Sequence, residues 1–241
     1  MTNQQQLRAV VVTAHPDADS ATASTAAAVA RGLLRGGYTE VERHDVLAAG
    51  FDPTFGSADH AAYRDRTAVP ADVRAEQLRL EEFDAIAVVF PVYWWGLPGP
   101  LKGWVDRVFT RDWAYDDTNS GAELAAPKRL YFFPIGAVGE STYRKHGYLD
   151  GMNAQLVDGL ANYMGAEDSG LFLLGDGESD DSDRHRAREA AAEDAAASRA
   201  ACASAVSSTR TWSDWPDDQS EAELVFASLT KICQGSGSIA R

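Results

Sequence analysis

Apolar runs and amphipathic stretches alternate along the first 175 residues of the chain. A short continuous apolar run is typical of a strand that is buried on both faces of a parallel sheet. Such runs predict strands at residues 7–14, 84–90 and 129–135, with shorter strands at 41–46 and 171–174. We therefore expect a sheet that is covered by other elements on both sides.

Helical stretches separate these strands. The Ala-rich segment at about residues 20–34 ends at Gly36 and Gly37, which is a common helix terminus. From Leu101 to Phe109 the apolar residues recur with the i, i+3, i+4, i+7, i+8 spacing of a helix with one buried face. Further helices are predicted at about residues 71–82, 148–164 and 183–205.

Strands that alternate with helices imply a parallel, doubly wound sheet, and the small size favours the flavodoxin-like strand order over a full dinucleotide-binding fold. We predict an α/β protein in which residues 1–175 form a flavodoxin-like three-layer sandwich with about five strands. Residues 176–241 are predicted as an extension with one helix and a helical or partly irregular tail. Trp212 and Trp215 either anchor this tail or belong to a loosely ordered segment.

Composition limits the possible partners. A length of 241 residues with 45% hydrophobic content is sufficient for one substantial core. The net charge of −14 argues against nucleic acid or an anionic membrane, because both require a basic face. No segment approaches the ~18 apolar residues of a membrane span, and we expect a cytoplasmic protein without membrane insertion. Cys202 and Cys233 have no metal-ligand spacing, so we expect ordinary thiols and no bound metal.

An aromatic loop follows the strand at residues 84–90. The strand ends at Pro91, and the loop contains Tyr93, Trp94, Trp95 and Gly96. Open α/β sheets bind ligands beyond the carboxyl ends of their strands, where these rings are expected to emerge. The loop therefore predicts a site for a planar cofactor, and a hydrophobic plug of the core is the alternative interpretation.

The loop before the first helix is rich in hydroxyl groups, from Ser20, Thr22, Ser24 and Thr25. A helix N-terminus carries a partial positive charge, which favours an anion such as a phosphate. His15, at the preceding strand end, is a candidate donor to a phosphate oxygen. The alternatives are simple N-capping by Ser20 and a structural role for His15. Asp17 and Asp19 would repel an anion, so we expect them to point into solvent.

The same loop permits a metal-site interpretation. His15-Pro16-Asp17 resembles the His-Pro-Asp-Asp opening of zinc-dependent sugar N-deacetylases, in which the His and an Asp hold the metal. Here Ala18 replaces the second Asp. A third ligand would have to come from His44, His60, His146 or His185, and none of these belongs to a paired His motif.

Four groups of residues follow one another along residues 7–176. They are Ala14-His15-Pro16 with Ser20-Ala21-Thr22, Phe51-Asp52-Pro53, residues 90–109, and Ile135-Gly136-Ala137 with Tyr143 and Gly147-Tyr148. Together they resemble the flavodoxin-like NAD(P)H:quinone oxidoreductases, the group that contains DT-diaphorase and the ancillary oxidoreductases of bacterial potassium efflux systems. The third group is the most specific, through Trp94-Trp95-Gly96 and Leu101-Lys102-Gly103-Trp104.

The resemblance implies a flavin cofactor, FAD in preference to FMN, with NAD(P)H as co-substrate. The implied ligands of the flavin phosphate or pyrophosphate are His15, Ser20, Ala21 and Thr22. The implied contacts of the isoalloxazine are Pro91, Val92, Tyr93, Trp94 and Trp95, and at its other edge Pro134, Ile135, Gly136, Ala137, Val138 and Gly139. Backbone groups are expected to dominate these contacts. Lys102, Asp106 and Arg107 are interpreted as helix-surface or interface residues.

Two positions depart from the family pattern. In DT-diaphorase a Tyr and a His six residues later assist hydride transfer; Tyr143 matches the Tyr, but Leu149 stands at the position of the His. The candidate catalytic residues are therefore Tyr143 and, as a substitute, His146, with plain packing as the alternative role of Tyr143. The family's Thr-Thr-Gly-Gly-like segment is replaced by Pro134-Ile135-Gly136-Ala137, which retains only backbone contacts.

The function implied by the resemblance is hydride transfer from NAD(P)H through flavin N5 to a quinone or similar acceptor. The resemblance also implies a homodimer with sites at the subunit interface. Two alternatives stay open: a flavin-binding regulatory or accessory subunit with incidental turnover, and the zinc-dependent N-deacetylase.

Overall fold

The computed structural model describes residues 6–118, 124–127 and 129–209. Its five-stranded parallel sheet consists of β1 (Arg8–Thr13), β2 (Glu40–Asp45), β3 (Ala85–Pro91), β4 (Arg129–Ile135) and β5 (Asp168–Leu171). The spatial order β2-β1-β3-β4-β5 confirms the predicted flavodoxin-like order. The fifth strand was predicted at residues 171–174, which is wrong by three positions, because Leu174 pairs with Ile135 only as an isolated bridge.

Helices cover both faces of the sheet. They are α1 (Ala21–Arg35), α2 (Ser57–Asp65), α3 (Ala71–Leu80), α4 (Gly99–Val108), α5 (Glu140–Lys145), α6 (Tyr148–Met152) and α7 (Ser182–Thr209), with a π-helical segment at Asn153–Asn162. The predicted helix at residues 148–164 is therefore present but mostly π-helical. Helices α2 and α5 were not predicted, because α2 is polar and α5 has only 6 residues.

The side chains of the central strands alternate between two hydrophobic layers, as expected for buried strands. On β3, Ile86, Val88 and Phe90 face the layer that α3, α4 and the π-helical segment cover. The intervening Ala85, Ala87 and Val89 face the layer of α1 and α7. This arrangement confirms the predicted three-layer sandwich.

Helix α7 confirms the helix predicted near residues 183–205, and it packs closely on α1. A Cβ at Gly32 would lie 2.8 Å from the Cβ of Ala196, and a Cβ at Gly36 would overlap Ala200. The absence of side chains at these glycines therefore allows the two helices to approach in parallel. The buried alanines of α7 belong to the same hydrophobic layer as α1. The division of the chain at residue 175 stays a prediction.

The predictions for the tail fall largely beyond this helix. Trp212, Trp215 and Cys233 lie outside the described residues. Cys202 lies on α7 and is disulfide-bonded, so the expectation of an ordinary thiol is wrong for this residue.

Arg107 is buried, and its assignment to the helix surface is wrong. Its guanidinium donates from Nε to Asp59 Oδ1 at 2.9 Å and from Nη1 to Asp72 Oδ2 at 2.6 Å. It also donates from Nη1 to the carbonyl oxygen of Asp52 at 2.5 Å. Arg107 thus joins α2, α3 and the Phe51-Asp52-Pro53 segment to α4. Lys102 and Asp106 are exposed and pair with each other, in agreement with the sequence interpretation.

Gly103 completes this junction. A Cβ at Gly103 would lie 2.8 Å from Pro53 Cβ and would overlap the Pro53 carbonyl oxygen. Helix α4 therefore packs directly on the Phe51-Asp52-Pro53 segment. Because α4 begins three residues after Gly96, this packing also fixes the carboxyl end of the aromatic loop.

Candidate functional site

The aromatic loop forms a tight turn directly after β3. Tyr93 and Gly96 exchange two backbone hydrogen bonds, with N to O distances of 3.2 and 3.1 Å. Between them, Trp94 and Trp95 have positive φ angles of 48° and 64°. This region disfavours residues with a Cβ by about 1–2 kcal/mol each, and such turns normally contain Asn or Gly. Backbone strain of this kind clusters at functional sites.

The rings of this turn project away from the core. Trp94 is 95% exposed, Tyr93 is 54% exposed and Trp95 is 40% exposed. A hydrophobic plug would be buried, so the alternative interpretation of the loop as core is wrong. An exposed aromatic surface of this kind is typical of a binding site.

The second predicted lining segment adjoins this turn. Pro91 and Ile135 are neighbours in the β3–β4 register, and the N–H of Val92 donates to the Ile135 carbonyl at 2.9 Å. Pro134, Ile135 and Gly136 are buried, whereas Ala137 and Val138 are exposed. The N–H of Gly136 donates to the Leu174 carbonyl at 2.8 Å, so any free N–H group of this loop has to come from the residues that follow.

Tyr143 lies against this loop. Its side chain is buried at 2% exposure, and its ring contacts the edge of Trp95 with 5.7 Å between centroids. A Cβ at Gly136 would lie 2.7 Å from Tyr143 Oη, so glycine leaves the space that the phenol occupies. Burial, together with the charge of Glu178, raises the pKa of Tyr143 above its ordinary value. Its hydroxyl therefore keeps its proton at neutral pH and can act as a hydrogen-bond donor.

Tyr148 is a part of the site that the sequence interpretation missed. Its ring stacks on Trp95, with 3.6 Å between centroids and 15° between planes. The exposed ring of His146 stacks on Tyr148 with centroids 5.5 Å apart. Leu149 is buried with Tyr143 and Met152, so the position that relatives fill with histidine serves packing here. The only sequence signal for Tyr148 was the Gly147-Tyr148 pair within the family resemblance.

The predicted phosphate loop has the geometry of a helix N-terminus. Ser20 Oγ accepts the N–H of Ala23 at 3.3 Å, so Ser20 caps α1. The first N–H groups of a helix have no intrahelical partner, which leaves those of Ala21 and Thr22 facing the loop. The Nδ1 of His15 contacts the backbone of Asp17 at 3.0 and 3.1 Å, and its Nε2 is the nitrogen that remains for a ligand. Asp17 and Asp19 are exposed, as predicted.

Two buried polar atoms near this helix end have no hydrogen-bond partner among the described residues: Thr25 Oγ1 and Arg188 Nε. Thr25 is 0% exposed and Arg188 is 5% exposed. The α1–α7 contact advances four residues at a time on both helices, from Gly36 with Ala200 to Gly32 with Ala196. Two further steps of four bring Arg188 beside the first turn of α1.

Arg188 is also tied to the end of the sheet. Its Nη1 donates to the Asp176 carbonyl at 3.1 Å, just beyond the bridge between Leu174 and β4. An unpaired guanidinium nitrogen at the carboxyl edge of the sheet suits an anionic ligand. Sequence reasoning passed over Arg188 because it stands among several arginines of an otherwise solvated helix.

The zinc interpretation has no support in the part of the chain that the structure describes, where no group of three His, Cys, Asp or Glu side chains could hold a metal. His44 is buried and contacts Glu76 through Nε2 at 3.0 Å. His60 and His146 are exposed.

Within the same described residues, no helix has the length and apolar character needed to cross a membrane.

A cavity of about 450 Å³ lies apart from this site, between α2, α3 and the end of α4. The four arginines that line it are paired with carboxylates: Arg66 and Arg111 with Asp117, Arg74 with Glu81, and Arg107 with Asp59. Because these charges are paired internally, the described residues of the cavity offer no free cation to an anionic cofactor.

Comparisons with known proteins agree with the fold described above. The family described as flavodoxin-like fold matches residues 8–198. The Escherichia coli protein named uncharacterized NAD(P)H oxidoreductase YcaK is 30% identical over 172 residues, which cover 70% of this chain and 84% of that protein. An uncharacterized NAD(P)H oxidoreductase of Haemophilus influenzae is 32% identical over 45% of this chain, and the alignment spans about half of the relative, 54%. These matches confirm the resemblance seen in the sequence.

Solved structures share the fold. The NAD(P)H:quinone oxidoreductase from Methanothermobacter marburgensis aligns with a TM-score of 0.73 and 21% identity, covering 80% of this chain and 97% of that chain. An FMN-dependent NADH-azoreductase from Bacillus anthracis, solved in complex with FMN, aligns with a TM-score of 0.59 and 14% identity over 80% of this chain and 99% of that chain. At these identities the similarity establishes the fold.

Proposed function

Because the chain belongs to the family with the flavodoxin-like fold, we propose that it is a flavin-dependent NAD(P)H oxidoreductase that reduces a quinone or a similar acceptor. The observation that carries the proposal is the strained turn at Trp94 and Trp95, which holds exposed rings beside Tyr143 and the loop after β4. A bound flavin would supply two-electron transfer between NAD(P)H and the acceptor at its N5 atom.

The residues at the N-terminus of α1 fit a flavin phosphate. The N–H groups of Ala21 and Thr22 and the cap residue Ser20 lie at the N-terminus of α1, where the helix dipole favours an anion. We propose the Nε2 of His15 as a further donor to the phosphate. Thr25 Oγ1 and Arg188 Nε add two buried polar atoms whose hydrogen-bonding capacity is unsatisfied among the described residues. Arg188 adds a cation near the phosphate loop, which favours the additional charge of a pyrophosphate, so we propose FAD in preference to FMN.

The residues at the end of β3 and β4 fit the isoalloxazine. Pro91, Val92 and the turn at Tyr93, Trp94 and Trp95 form one wall. The segment from Pro134 to Gly139 forms the facing edge, where the exposed Ala137 and the open space at Gly139 leave room for the ring. These rings provide flat surfaces for the nicotinamide and the acceptor, and they would exclude water from the reacting atoms once a partner subunit covers them.

Tyr143 is proposed as the proton-holding residue of the site. Its raised pKa keeps the hydroxyl protonated, and its contact with Gly136 holds the phenol at the loop edge. From there it would donate a hydrogen bond to a bound flavin and stabilise negative charge on it. The role of His146 stays a prediction, because Tyr148 and not His146 is the ring in contact with Trp95.

We propose a homodimer with the site at the subunit interface. Trp94 is 95% exposed, and a partner subunit would cover this ring and close the cleft. Light scattering on a size-exclusion column tests the assembly, and a monomer at micromolar concentration would contradict it. A cytoplasmic location stays a prediction.

Steady-state oxidation of NAD(P)H, with and without a quinone, tests the proposed activity. We expect the quinone to raise the rate well above flavin autoxidation, and Tyr143→Phe to lower kcat by about a hundredfold, the lower end of the range for removing a proton donor. A rate that does not depend on the quinone would contradict the enzyme and favour the accessory flavin-binding role.

A further inference from the structure

Tyr148 covers one face of Trp95, a ring that could otherwise stack on a flat ligand. The two rings lie 3.6 Å apart between centroids and 15° from parallel, which is full aromatic contact. The strained turn fixes the point from which the Trp95 side chain leaves the backbone, and the ring is also in edge contact with the buried Tyr143. The face of Trp95 is therefore accessible to a ligand when Tyr148 leaves it.

The backbone around Tyr148 suits such a movement. Tyr148 is the first residue of the short helix α6, and the preceding Gly147 has a φ of 72°. Glycine in this region tolerates large changes of φ and ψ, as hinge positions require. The side chain of Tyr148 is half-buried, and its outer neighbour is the exposed ring of His146.

We propose that Tyr148 determines acceptor specificity by covering Trp95, an inference that rests on the proposed function. A one-ring acceptor binds beside the closed Trp95–Tyr148 pair. A two-ring acceptor needs the face of Trp95 and has to displace Tyr148, so the pair selects against larger flat molecules.

The test compares Tyr148→Ala with Tyr148→Phe in the holoenzyme. The readout is KM for a two-ring naphthoquinone relative to a one-ring benzoquinone, with kcat recorded separately. We expect Tyr148→Ala to lower this ratio by about threefold to tenfold, the range that corresponds to one aromatic pair. Tyr148→Phe retains the stacking ring and is expected to keep the wild-type ratio.

Tyr163→Ala is the matched control, because Tyr163 is a 63% exposed tyrosine on the same stretch of chain that packs against Tyr115. An unchanged ratio in Tyr148→Ala, or the same change in the control, would overturn the proposal. A higher KM for both quinones would also overturn it, because Tyr148 would then support the acceptor rather than cover its site.

A binding measurement separates this proposal from the proposed function. Titration calorimetry with the redox-inactive 2-naphthol needs no turnover. Tighter binding to Tyr148→Ala than to wild type, by a similar factor, supports the cover even in a protein that does not oxidise NAD(P)H. Equal affinities would overturn it, whatever the activity of the enzyme.

Discussion

The close packing of α4 on Pro53 makes a sharp prediction for one methyl group. In Gly103→Ala the new Cβ would overlap the Pro53 carbonyl oxygen and lie 2.8 Å from its Cβ. Both opposing atoms belong to a proline and its backbone, so they cannot rotate away as a flexible side chain would. The same substitution at Gly99, in the first turn of the same helix, meets nothing within 4 Å.

Overpacking of a well-packed contact costs about 1–3 kcal/mol. Replacing glycine by alanine in a helix gains about 0.4–1 kcal/mol where there is space, largely through the unfolded chain. Gly103→Ala should therefore lose up to about 2 kcal/mol, with the larger values favoured by the severity of the overlap. Gly99→Ala should gain about 0.5 kcal/mol. For a chain of this size 2 kcal/mol corresponds to roughly 4–8 °C in Tm.

Urea unfolding followed by tryptophan fluorescence measures both variants under one condition. Equal m-values establish that the midpoints report stability rather than a changed unfolded state. If Gly103→Ala proved as stable as Gly99→Ala, the direct contact between α4 and the Phe51-Asp52-Pro53 segment would be refuted. Loss of m-value in Gly103→Ala alone would point to a loosened native state.

Three further perturbations address the buried charges. Burial alone would raise the pKa of Glu76, but hydrogen bonds from His44 and Trp104 hold this pKa below its ordinary value of 4.5. The carboxylate therefore stabilises the fold above pH 4.5, and this contribution is lost as the pH falls through the lower folded pKa. Glu76→Gln should therefore lose urea stability less steeply than the wild type between about pH 5 and pH 3, where the folded and unfolded proteins differ in protonation at this site. An equal slope would contradict this assignment. Arg107→Met leaves Asp59 buried without its cation and should cost about 3–5 kcal/mol, whereas Lys102→Met, in the exposed pair on the same helix, should cost less than about 1 kcal/mol. Similar unfolding midpoints for these two variants would refute the buried network. Arg188→Met should weaken retention of the flavin by about tenfold or more, as expected for one charged hydrogen bond, while the exposed Arg186→Met should not; equal flavin dissociation constants by fluorescence titration would exclude Arg188 from the site.

The fold could be predicted because its signals are local. A strand buried on both faces is apolar at every position, and β3 and β4 show this pattern without interruption. The edge strand β5 is only half-buried and begins with the polar residues Asp168 and Ser169. The prediction was therefore placed on the more apolar run at residues 171–174. The π-helical segment has no separate sequence period and was read as an ordinary helix.

The candidate site was predictable where one segment carries it. The turn at Trp94 and Trp95 and the cap at Ser20 each lie within a few residues of the pattern that revealed them. Arg107 was misassigned because its partner Asp59 is 48 residues away, and a charged residue on a helix is normally solvated. Arg188 and Tyr148 belong to the candidate site only because α7 packs on α1 and α6 lies against the aromatic turn. These tertiary contacts leave no local pattern in the sequence.

The visible absorption spectrum of the purified protein tests the central claim most directly. We expect a yellow protein with flavin bands that bleach when NAD(P)H is added without oxygen and return when a quinone is added. Mass analysis of the released cofactor then identifies it as FAD or FMN. A colourless wild-type protein that does not bind added flavin would contradict the flavin site. A colourless protein that contains zinc would favour the deacetylase.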